Sequence, residues 1–382
     1  MKKLLLLALI SSNFILSQSF VPNAPELNLK SYILIDPNTN TVIAESNSSG
    51  PIEPASMTKV MTAYVVADAI ENNFINIDDE VLVSENAWKM GGSKMYIEVD
   101  KKVTVLDLLK GIIIQSGNDA AVAIAEYVAG SEEEFVVLMN NYAESLGMND
   151  TNFENSTGLP SENHLTSAKD LATLTGSFIK KFPEIYKLFG EKKFLYAGMT
   201  GNMWNRNRLL WLDETSDGVK TGHTSSAGWC LIGSAKRGEM RLITVVAGGN
   251  SKDNSFRDTR RLLNHGFKFY GTQKYFETNK EYTTSNVWGG KMDTVSLGVR
   301  EDISITLPRM SLKNLKVNYN IKNNIQAPIT KGQTMGTLQI INNDEVVITS
   351  ELVALEDIEA KGFFGRIWAR FVLWIRGLFG FS

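Results

Sequence analysis

The stretch that decides the fold is Pro54-Ala55-Ser56-Met57-Thr58-Lys59-Val60, which leads into an apolar run. Proline suits the entry of a helix but not its interior, so the sequence predicts a helix that begins near Ser56. Ser56 and Lys59 would lie on one face, one turn apart, with free backbone N–H groups aimed at the serine. A neutral lysine amine can take the hydroxyl proton, which makes this pair a candidate nucleophile and base. For an isolated motif, the alternative is an N-capping serine beside a solvated lysine.

Two further short motifs follow in the chain, Ser116-Gly117-Asn118 and then Lys220-Thr221-Gly222. Each of them occurs by chance in many proteins, usually in a surface turn. Each has a suitable local context here, because the first breaks a helical pattern and the second opens a region of strands. Together, in this order, the three motifs indicate a serine-dependent catalytic site.

This set resembles the penicillin-recognising serine acyltransferases, a group of β-lactamases, transpeptidases and D-alanyl-D-alanine carboxypeptidases. Several other segments narrow the resemblance to the low-molecular-mass D-alanyl-D-alanine carboxypeptidases: Ser31–Asp36, Gln115–Ala120, Asn205–Asn207, Asp217–Gly228 and Ser296–Val299. The resemblance extends over essentially the whole mature chain and includes a β-domain that β-lactamases lack.

The resemblance implies a role for each motif residue. Ser56 would attack the carbonyl of the terminal D-Ala-D-Ala bond and form an acyl-enzyme, with Lys59 as the proton acceptor. Lys220 is the second cation expected to lower the pKa of Lys59. Ser116 would relay the proton to the leaving amine, and Asn118 would bind the substrate amide.

The resemblance also implies a substrate-binding set. Backbone N–H groups of Ser56 and His223 would form the oxyanion hole. Lys220 and Thr221 would hold the terminal carboxylate of the substrate, with Arg257 as a further candidate whose alternative is an ordinary surface position. The predicted substrate-binding residues are Asn118, Lys220, Thr221, Gly222, His223 and Arg257.

The composition is that of an ordinary globular protein of 382 residues, 43% hydrophobic and 21% charged. A net charge of −3 gives no nucleic-acid-binding footprint. The single cysteine, Cys230, excludes an intramolecular disulfide, and the three histidines lie far apart in the sequence. We therefore predict no metal site, no cofactor and no nucleic-acid partner.

The fold class predicted is α+β, with a catalytic domain of the β-lactamase/transpeptidase type in which helices pack on an antiparallel sheet. A basic start and a short apolar run predict a signal peptide over 1–19, with a retained N-terminal anchor as the alternative. The catalytic domain is predicted over 20–273, and a small all-β domain over 274–356. The last segment, 357–382, is predicted to form an amphipathic helix.

Local patterns predict the main elements of these domains. A hairpin is expected over 31–45, a broken helical stretch over 103–129, helices over 132–146 and 167–182, strands over 228–235 and 240–247, and a helix over 257–269. Short β segments are expected around 317–321, 336–341 and 346–349.

The final segment carries a broad face of Phe, Trp and Ile residues, with Arg366, Arg370 and Arg376 on the other face. Three arginines make a membrane-spanning helix costly, so an interfacial helix is predicted. It would hold the enzyme on the outer face of the bacterial inner membrane, in the periplasm. The alternative is that this face packs on the protein's own core or forms a dimer; the oligomeric state stays open.

We therefore expect a periplasmic D-alanyl-D-alanine carboxypeptidase that trims peptidoglycan stem pentapeptides and is inhibited covalently by β-lactams. A β-lactamase is the first alternative, with Glu154 or Glu162 as the loop glutamate that drives deacylation in some of those enzymes. A non-catalytic envelope protein on the same scaffold is the second, against which the intact motifs argue.

Overall fold

The computed structural model describes residues 21–197 and 203–378, with the main chain alone for 376–378. The predicted signal peptide, 1–19, lies outside the described residues. The strands are β1 (Ser31–Asp36), β2 (Thr41–Ser46), β3 (Glu80–Leu82), β4 (Lys102–Thr104), β5 (Ser216–Thr224), β6 (Gly228–Arg237), β7 (Met240–Gly249), β8 (Tyr270–Phe276), β9 (Thr283–Asn286), β10 (Thr294–Val299), β11 (Ile303–Pro308), β12 (Leu315–Ile321), β13 (Thr334–Asn342) and β14 (Glu345–Ala354).

The helices are α1 (Lys59–Glu71), α2 (Glu85–Lys89), α3 (Val105–Lys110), α4 (Asn118–Ala129), α5 (Glu132–Ser145), α6 (Ala168–Lys181), α7 (Pro183–Tyr186), α8 (Leu209–Leu212), α9 (Lys252–Phe269) and α10 (Phe363–Leu378). Three single turns are 3-10 helical (Ala55–Thr58, Lys187–Gly190 and Ser311–Asn314), and Gly111–Gln115 is a π-helical turn.

The central element is an antiparallel sheet with the order β2-β1-β7-β6-β5. Its inner strands read as nearly continuous apolar runs because both faces are covered. Helix α9 packs on one face through Leu262 and Leu263, over a core that includes Leu231 and Val246. Helix α6 packs on the opposite face, against β7 and β1, as part of the main helical core. This arrangement confirms the predicted α+β class.

Helix α1 lies at the centre of the helical region and is apolar on every side, as a fully surrounded helix must be. Eleven of its thirteen residues, from Lys59 to Ala69, are buried. Tyr64 makes edge-to-face contacts with Phe178 and Phe182 of the neighbouring α6 segment. The first residue of α1 is Lys59, so the lysine is carried into the core by the helix that it begins.

Two predicted helix starts differ from the structure. A 3-10 turn, Ala55–Thr58, precedes α1, and in this turn the Met57 N–H donates to the Pro54 carbonyl at 3.0 Å. Helix α9 starts at Lys252, earlier than the predicted 257, because the Ser251 hydroxyl accepts the Asn254 N–H and caps it. The polar break predicted within 103–129 is confirmed: the π-helical turn after α3 ends at Gln115, Ser116 and Gly117 are not helical, and α4 begins at Asn118.

The C-terminal β region contains a sheet of order β12-β13-β14-β10-β9, and its predicted strands are confirmed. Strand β8 continues directly from α9 and pairs with β11. The domain boundary predicted at residue 273 therefore falls within this strand. The buried Asp36 carboxylate of β1 accepts hydrogen bonds from Thr272 of β8 and Thr306 of β11. This contact ties the catalytic sheet to the β8–β11 pair.

Helix α10 follows the β region and leaves most of its aromatic side chains exposed. A groove beside Trp288 and Gly289 is lined on the side of the helix by Gly365, Trp368, Ala369 and Val372. Among residues 21–197 and 203–378, no helix combines the length and the apolar character needed to cross a bilayer.

Candidate active site

A cleft of about 250 Å³ lies where the Ser56 turn, the Ser116 turn, β5 and the start of α9 meet. It brings together members of all three sequence motifs, which lie far apart along the chain. The residues that line it are Ser56, Ser93, Ser116, Arg206, Thr221, Gly222, His223, Trp229, Cys230, Leu231, Lys252, Ser255 and Phe256.

Ser56 and Lys59 lie one turn apart, as the spacing predicts, with Lys59 Nζ 3.2 Å from Ser56 Oγ. Lys59 is fully buried, whereas Ser56 keeps part of its surface in the cleft. The ammonium also donates to Asn118 Oδ1 at 2.6 Å and to the Thr157 carbonyl oxygen at 2.5 Å. A solvated surface lysine is therefore not the arrangement found.

The pKa of Lys59 is lowered from 10.5 to about 7, first by burial and then by the nearby charge of Arg206, while the charges of Asp119 and Glu132 oppose the shift. The family resemblance implies Lys220 as the second cation that lowers this pKa. In the structure the largest cause of the lowered pKa is burial, and the largest charged cause is Arg206. The neutral fraction of Lys59 rises as the pH increases through about 7. A base of this strength suits proton transfer at neutral pH.

Ser116 and Lys220 form the second polar pair of the site. Lys220 Nζ donates to Ser116 Oγ at 2.9 Å, and both residues are buried. The pKa of Lys220 lies well below its usual value. The largest cause is burial, and the charges of Lys59 and Arg206 add to it. Ser116 has a left-handed backbone, with φ of 64°, which turns the chain sharply between α3 and α4.

Asn118 is the first residue of α4 and connects Lys59 with the main chain at Gly91. Its Oδ1 accepts from Lys59, and its Nδ2 donates to the Gly91 carbonyl oxygen at 2.7 Å. Because both ends of the amide are engaged, its orientation is fixed.

Strand β5 passes close to the Ser56 turn at Gly222. A Cβ atom on Gly222 would lie 3.0 Å from the Pro54 carbonyl oxygen and 3.2 Å from Ala55 Cβ, closer than side chains normally pack. Glycine therefore permits this approach. The next residue, His223, stacks on Trp229 with ring centroids 3.9 Å apart, and Thr221 lines the cleft beside them.

Arg257 is not among the residues that line the cleft. It lies on α9 with a side chain that is 61% exposed, and it forms an ion pair with Asp258. The cations that line the cleft are Arg206 and Lys252. The Arg206 Nε atom is buried without a hydrogen-bond partner among the described residues. Sequence reasoning gave neither residue a role, although the asparagines that flank Arg206 were a signal, since polar side chains of this kind anchor irregular segments.

The two glutamates of the loop between α5 and α6 lie away from the cleft lining. The Glu154 carboxylate accepts the Asn163 N–H at 3.1 Å, and Glu162 is exposed. The loop group that reaches Lys59 is the Thr157 carbonyl oxygen. This geometry gives no support to a loop carboxylate as a deacylating base.

The cleft thus combines a partly exposed hydroxyl, a buried lysine with a pKa near 7, a second hydroxyl paired with a lysine, and two cationic side chains, Arg206 and Lys252. Such a set can perform acyl transfer to serine on a substrate that carries a carboxylate. Among the described residues, no group of three or more His, Cys, Asp or Glu side chains is placed to hold a metal ion.

Comparison with known proteins agrees with this chemistry. The profile of the family described as D-alanyl-D-alanine carboxypeptidase matches residues 18–251, and that of the penicillin-binding protein 5 C-terminal domain matches residues 270–360. The chain is 40% identical to D-alanyl-D-alanine carboxypeptidase DacC of Escherichia coli, over 90% of this chain and 88% of that protein. It is 39% identical to DacF of Bacillus subtilis, over 87% of each chain.

The solved structures agree in fold. Penicillin-binding protein 5 from Haemophilus influenzae superposes with a TM-score of 0.83 at 35% identity, covering 88% of this chain and 99% of that one. Penicillin-binding protein D2 from Listeria monocytogenes, in an ampicillin-bound form, gives 0.59 at 29% identity and covers 64% of this chain and 99% of that one.

Proposed function

We propose that Ser56 is the nucleophile, and Lys59 its general base, in a chain that belongs to the D-alanyl-D-alanine carboxypeptidase family. The chain is a D-alanyl-D-alanine carboxypeptidase, which hydrolyses the terminal bond of peptides that end in D-Ala-D-Ala. Its family acts on such peptides of peptidoglycan and binds β-lactams. The β-lactamase and the non-catalytic protein, the two alternatives from the sequence, are therefore set aside.

The observation that carries these roles is the 3.2 Å contact between Ser56 Oγ and a fully buried Lys59 amine. In acylation, Ser56 Oγ bonds to the carbonyl carbon and its proton moves to Lys59 Nζ. The C–N bond to the terminal D-alanine then breaks, and the proton held by Lys59 passes through the Ser116 hydroxyl to the leaving amine, so that Lys59 is neutral again. In deacylation a water molecule gives a proton to Lys59 as it attacks the ester carbonyl. When the C–O bond breaks, Lys59 returns this proton to Ser56 Oγ, which restores the serine hydroxyl and the neutral amine.

The oxyanion of each tetrahedral intermediate would be bound by the backbone N–H groups of Ser56 and His223. The close approach of Gly222 to the Ser56 turn supports this pairing, since it places the two main-chain segments side by side. Asn118 would receive the amide of the substrate, and the aromatic pair of His223 and Trp229 would flank it.

We propose Arg206 and Lys252, together with Thr221 and Lys220, as the groups that hold the terminal carboxylate. Arg206 and Lys252 lie at one edge of the cleft, and no ion pair joins either of them to an acidic side chain within the part of the chain that the structure describes. Burial lowers the pKa of Lys252, followed by the charges of Arg208 and Arg206. An anionic ligand would relieve this repulsion between like charges.

Arg206→Gln and Lys252→Met should each raise KM for a D-Ala-D-Ala peptide about 10- to 100-fold, because each removes a charge-assisted hydrogen bond. The measurement is D-alanine release from the free acid and from the C-terminal amide of the same peptide. With wild-type enzyme, KM should be higher for the amide than for the free acid. The two variants should raise the KM for the amide little further. Arg260→Gln, an exposed arginine of α9, is the control. If Arg257→Gln raises KM and Arg206→Gln does not, the assignment to Arg206 is wrong and Arg257 holds the carboxylate.

The second part of the proposal is that α10 lies on a membrane surface in the periplasm. Phe364 and Trp368 are 84% and 67% exposed, and Phe363, Phe371 and Trp374 are exposed beside them. So much apolar surface on one face is unusual for a helix that stays in water. Arg366 and Arg370 are also exposed, which suits anionic headgroups. The groove against the β region is lined by Gly365, Trp368, Ala369 and Val372 of α10. Phe363, Phe364, Phe371 and Trp374 do not line it, so their exposed side chains stay available.

Removal of residues 362–382 should abolish binding to vesicles of phosphatidylglycerol and phosphatidylethanolamine while D-alanine release from small peptides stays unchanged. The reason is that the apolar contact and the arginines are lost together, far from the cleft. Co-sedimentation with vesicles measures binding. Phe364→Ala should weaken it, whereas Phe74→Ala, a change at a similarly exposed phenylalanine elsewhere, should not. A truncated enzyme that still sediments with vesicles would contradict the anchor.

A further inference from the structure

The loop between α5 and α6, residues 153–165, lies over the start of α1 and meets it with main-chain carbonyl groups. The Thr157 carbonyl oxygen accepts from Lys59 at 2.5 Å, and the Ser156 carbonyl oxygen accepts from Thr62 Oγ1 at 2.6 Å. Gly158 fits directly against the Ser56 turn, since a Cβ there would lie 1.8 Å from the Ala55 carbonyl oxygen. The loop is thus part of the wall that surrounds Lys59.

The Thr157 carbonyl has a specific consequence for the lysine. A neutral primary amine has two N–H bonds and one lone pair. If the two N–H bonds point to Asn118 Oδ1 and the Thr157 carbonyl oxygen, the lone pair is left to face Ser56 Oγ, the third neighbour. Asn118 is already fixed by its bond to Gly91. The position of the Thr157 carbonyl therefore determines whether the amine is oriented as a base toward Ser56.

His164 is the side chain that fastens this loop to the motif. The Glu154 N–H donates to His164 Nδ1 at 3.0 Å, so the ring proton lies on Nε2, which donates to Thr58 Oγ1 at 2.8 Å. Thr58 directly precedes Lys59. The ring is 2% exposed and packs edge-on against Phe153. The His164 ring thus connects the end of the loop with Glu154 at its start, and connects both to Thr58 in the turn that carries Ser56 and Lys59.

We infer that His164 is a positioning residue for the acylation step: its neutral ring holds the 153–165 loop on Thr58 and thereby keeps the Thr157 carbonyl on Lys59. This inference rests on the proposed role of Lys59 as the base. The loop has a second fastening at Glu132, whose carboxylate accepts from the Ser156 N–H and hydroxyl at 2.9 and 2.6 Å. His164 is therefore expected to adjust the loop rather than to decide whether it folds.

Electrostatics favour the neutral ring. Burial lowers the pKa of His164 to about 4, with the charge of Glu154 opposing the shift and that of Lys59 adding to it. A protonated ring would also turn Nδ1 into a donor, facing the Glu154 N–H that it now accepts. The ring therefore keeps the same tautomer over the whole pH range in which Lys59 changes its charge.

The test is the pH dependence of acylation by penicillin in the full-length enzyme, for wild type, His164→Leu and His164→Gln. In His164→Leu the loop loosens, water reaches Lys59, and its pKa moves up from about 7. We expect acylation at pH 7 to fall about 10- to 100-fold, because small misplacements of catalytic groups have effects of this size. The acid limb of the profile should shift to higher pH. His164→Gln keeps a donor for Thr58, so it should retain most of the wild-type acylation rate and an acid limb near the wild-type pH.

Three comparisons keep the result interpretable. Thr58→Val removes the other partner of the same hydrogen bond, so it should give the same shift, and the double variant should add little to either. His265→Leu removes another histidine that is largely buried, on α9, and should leave the limb in place. Thermal unfolding of each variant gives its folded fraction, because a purely structural effect would scale the rate equally at every pH.

An unchanged acid limb in His164→Leu, or an equal shift in His265→Leu, overturns the inference. Failure of the underlying role is recognised separately. If Lys59→Arg acylates normally, Lys59 is not the base and the proposed mechanism is wrong. If Lys59→Arg is inactive while the His164→Leu limb stays in place, only the positioning role of His164 is wrong.

Discussion

Ser56→Ala is expected to lose covalent labelling by penicillin and D-alanine release together, each by a factor of about 10⁴ or more, as when a nucleophile is removed from other serine hydrolases. The variant deletes the atom that would bond to the substrate carbonyl. It should fold normally, because the hydroxyl is partly exposed and its contact with Lys59 is long at 3.2 Å.

Labelling is measured by mass spectrometry of the intact protein after incubation with benzylpenicillin, and folding by thermal unfolding. Ser225→Ala is the control, since Ser225 is exposed in the turn between β5 and β6 and does not line the cleft. A penicillin adduct on Ser56→Ala would show that another residue is the nucleophile.

Lys59→Arg is expected to acylate about 10²–10⁴ times more slowly than wild type, the usual contribution of a general base. Arginine keeps the positive charge but does not deprotonate near neutral pH, so it cannot accept the Ser56 proton. In wild type, acylation should rise with pH through about 7, because burial lowers the Lys59 pKa to that value and the neutral amine is the active form. The variant should lack this rise.

The matched control is Lys89→Arg, which makes the same exchange at an exposed ion pair on α2. Because Lys59 is fully buried with three acceptors around it, the larger guanidinium also disturbs packing. Unfolding curves therefore have to accompany the rates, and folded enzyme with a slow and pH-independent reaction is the expected outcome. Acylation of Lys59→Arg at the wild-type rate would mean that another group takes the proton.

Much of the fold could be predicted from the sequence because local residue patterns mark the helices and strands. The alternation and turn residues over 31–45 and 228–247 predict the strands that form β1, β2, β6 and β7. Helices α5 and α6 agree with the prediction to within one residue at each end, because Ser131 and Ser167 cap them. The start of α9 was placed too late, since its first turn is polar and carries no apolar periodicity.

The sequence by itself determined the family and its activity, and from the three motifs it proposed a nucleophile, a base and their polar partners, because these residue types in this order and local context resemble one family. Only the tertiary structure decided what surrounds them. Arg206 rather than Arg257 lines the cleft, burial sets the pKa of Lys59 near 7, and a loop carbonyl at Thr157 contacts the amine. These features arise from contacts between distant segments, and a main-chain carbonyl or a degree of burial leaves no mark on the local residue pattern.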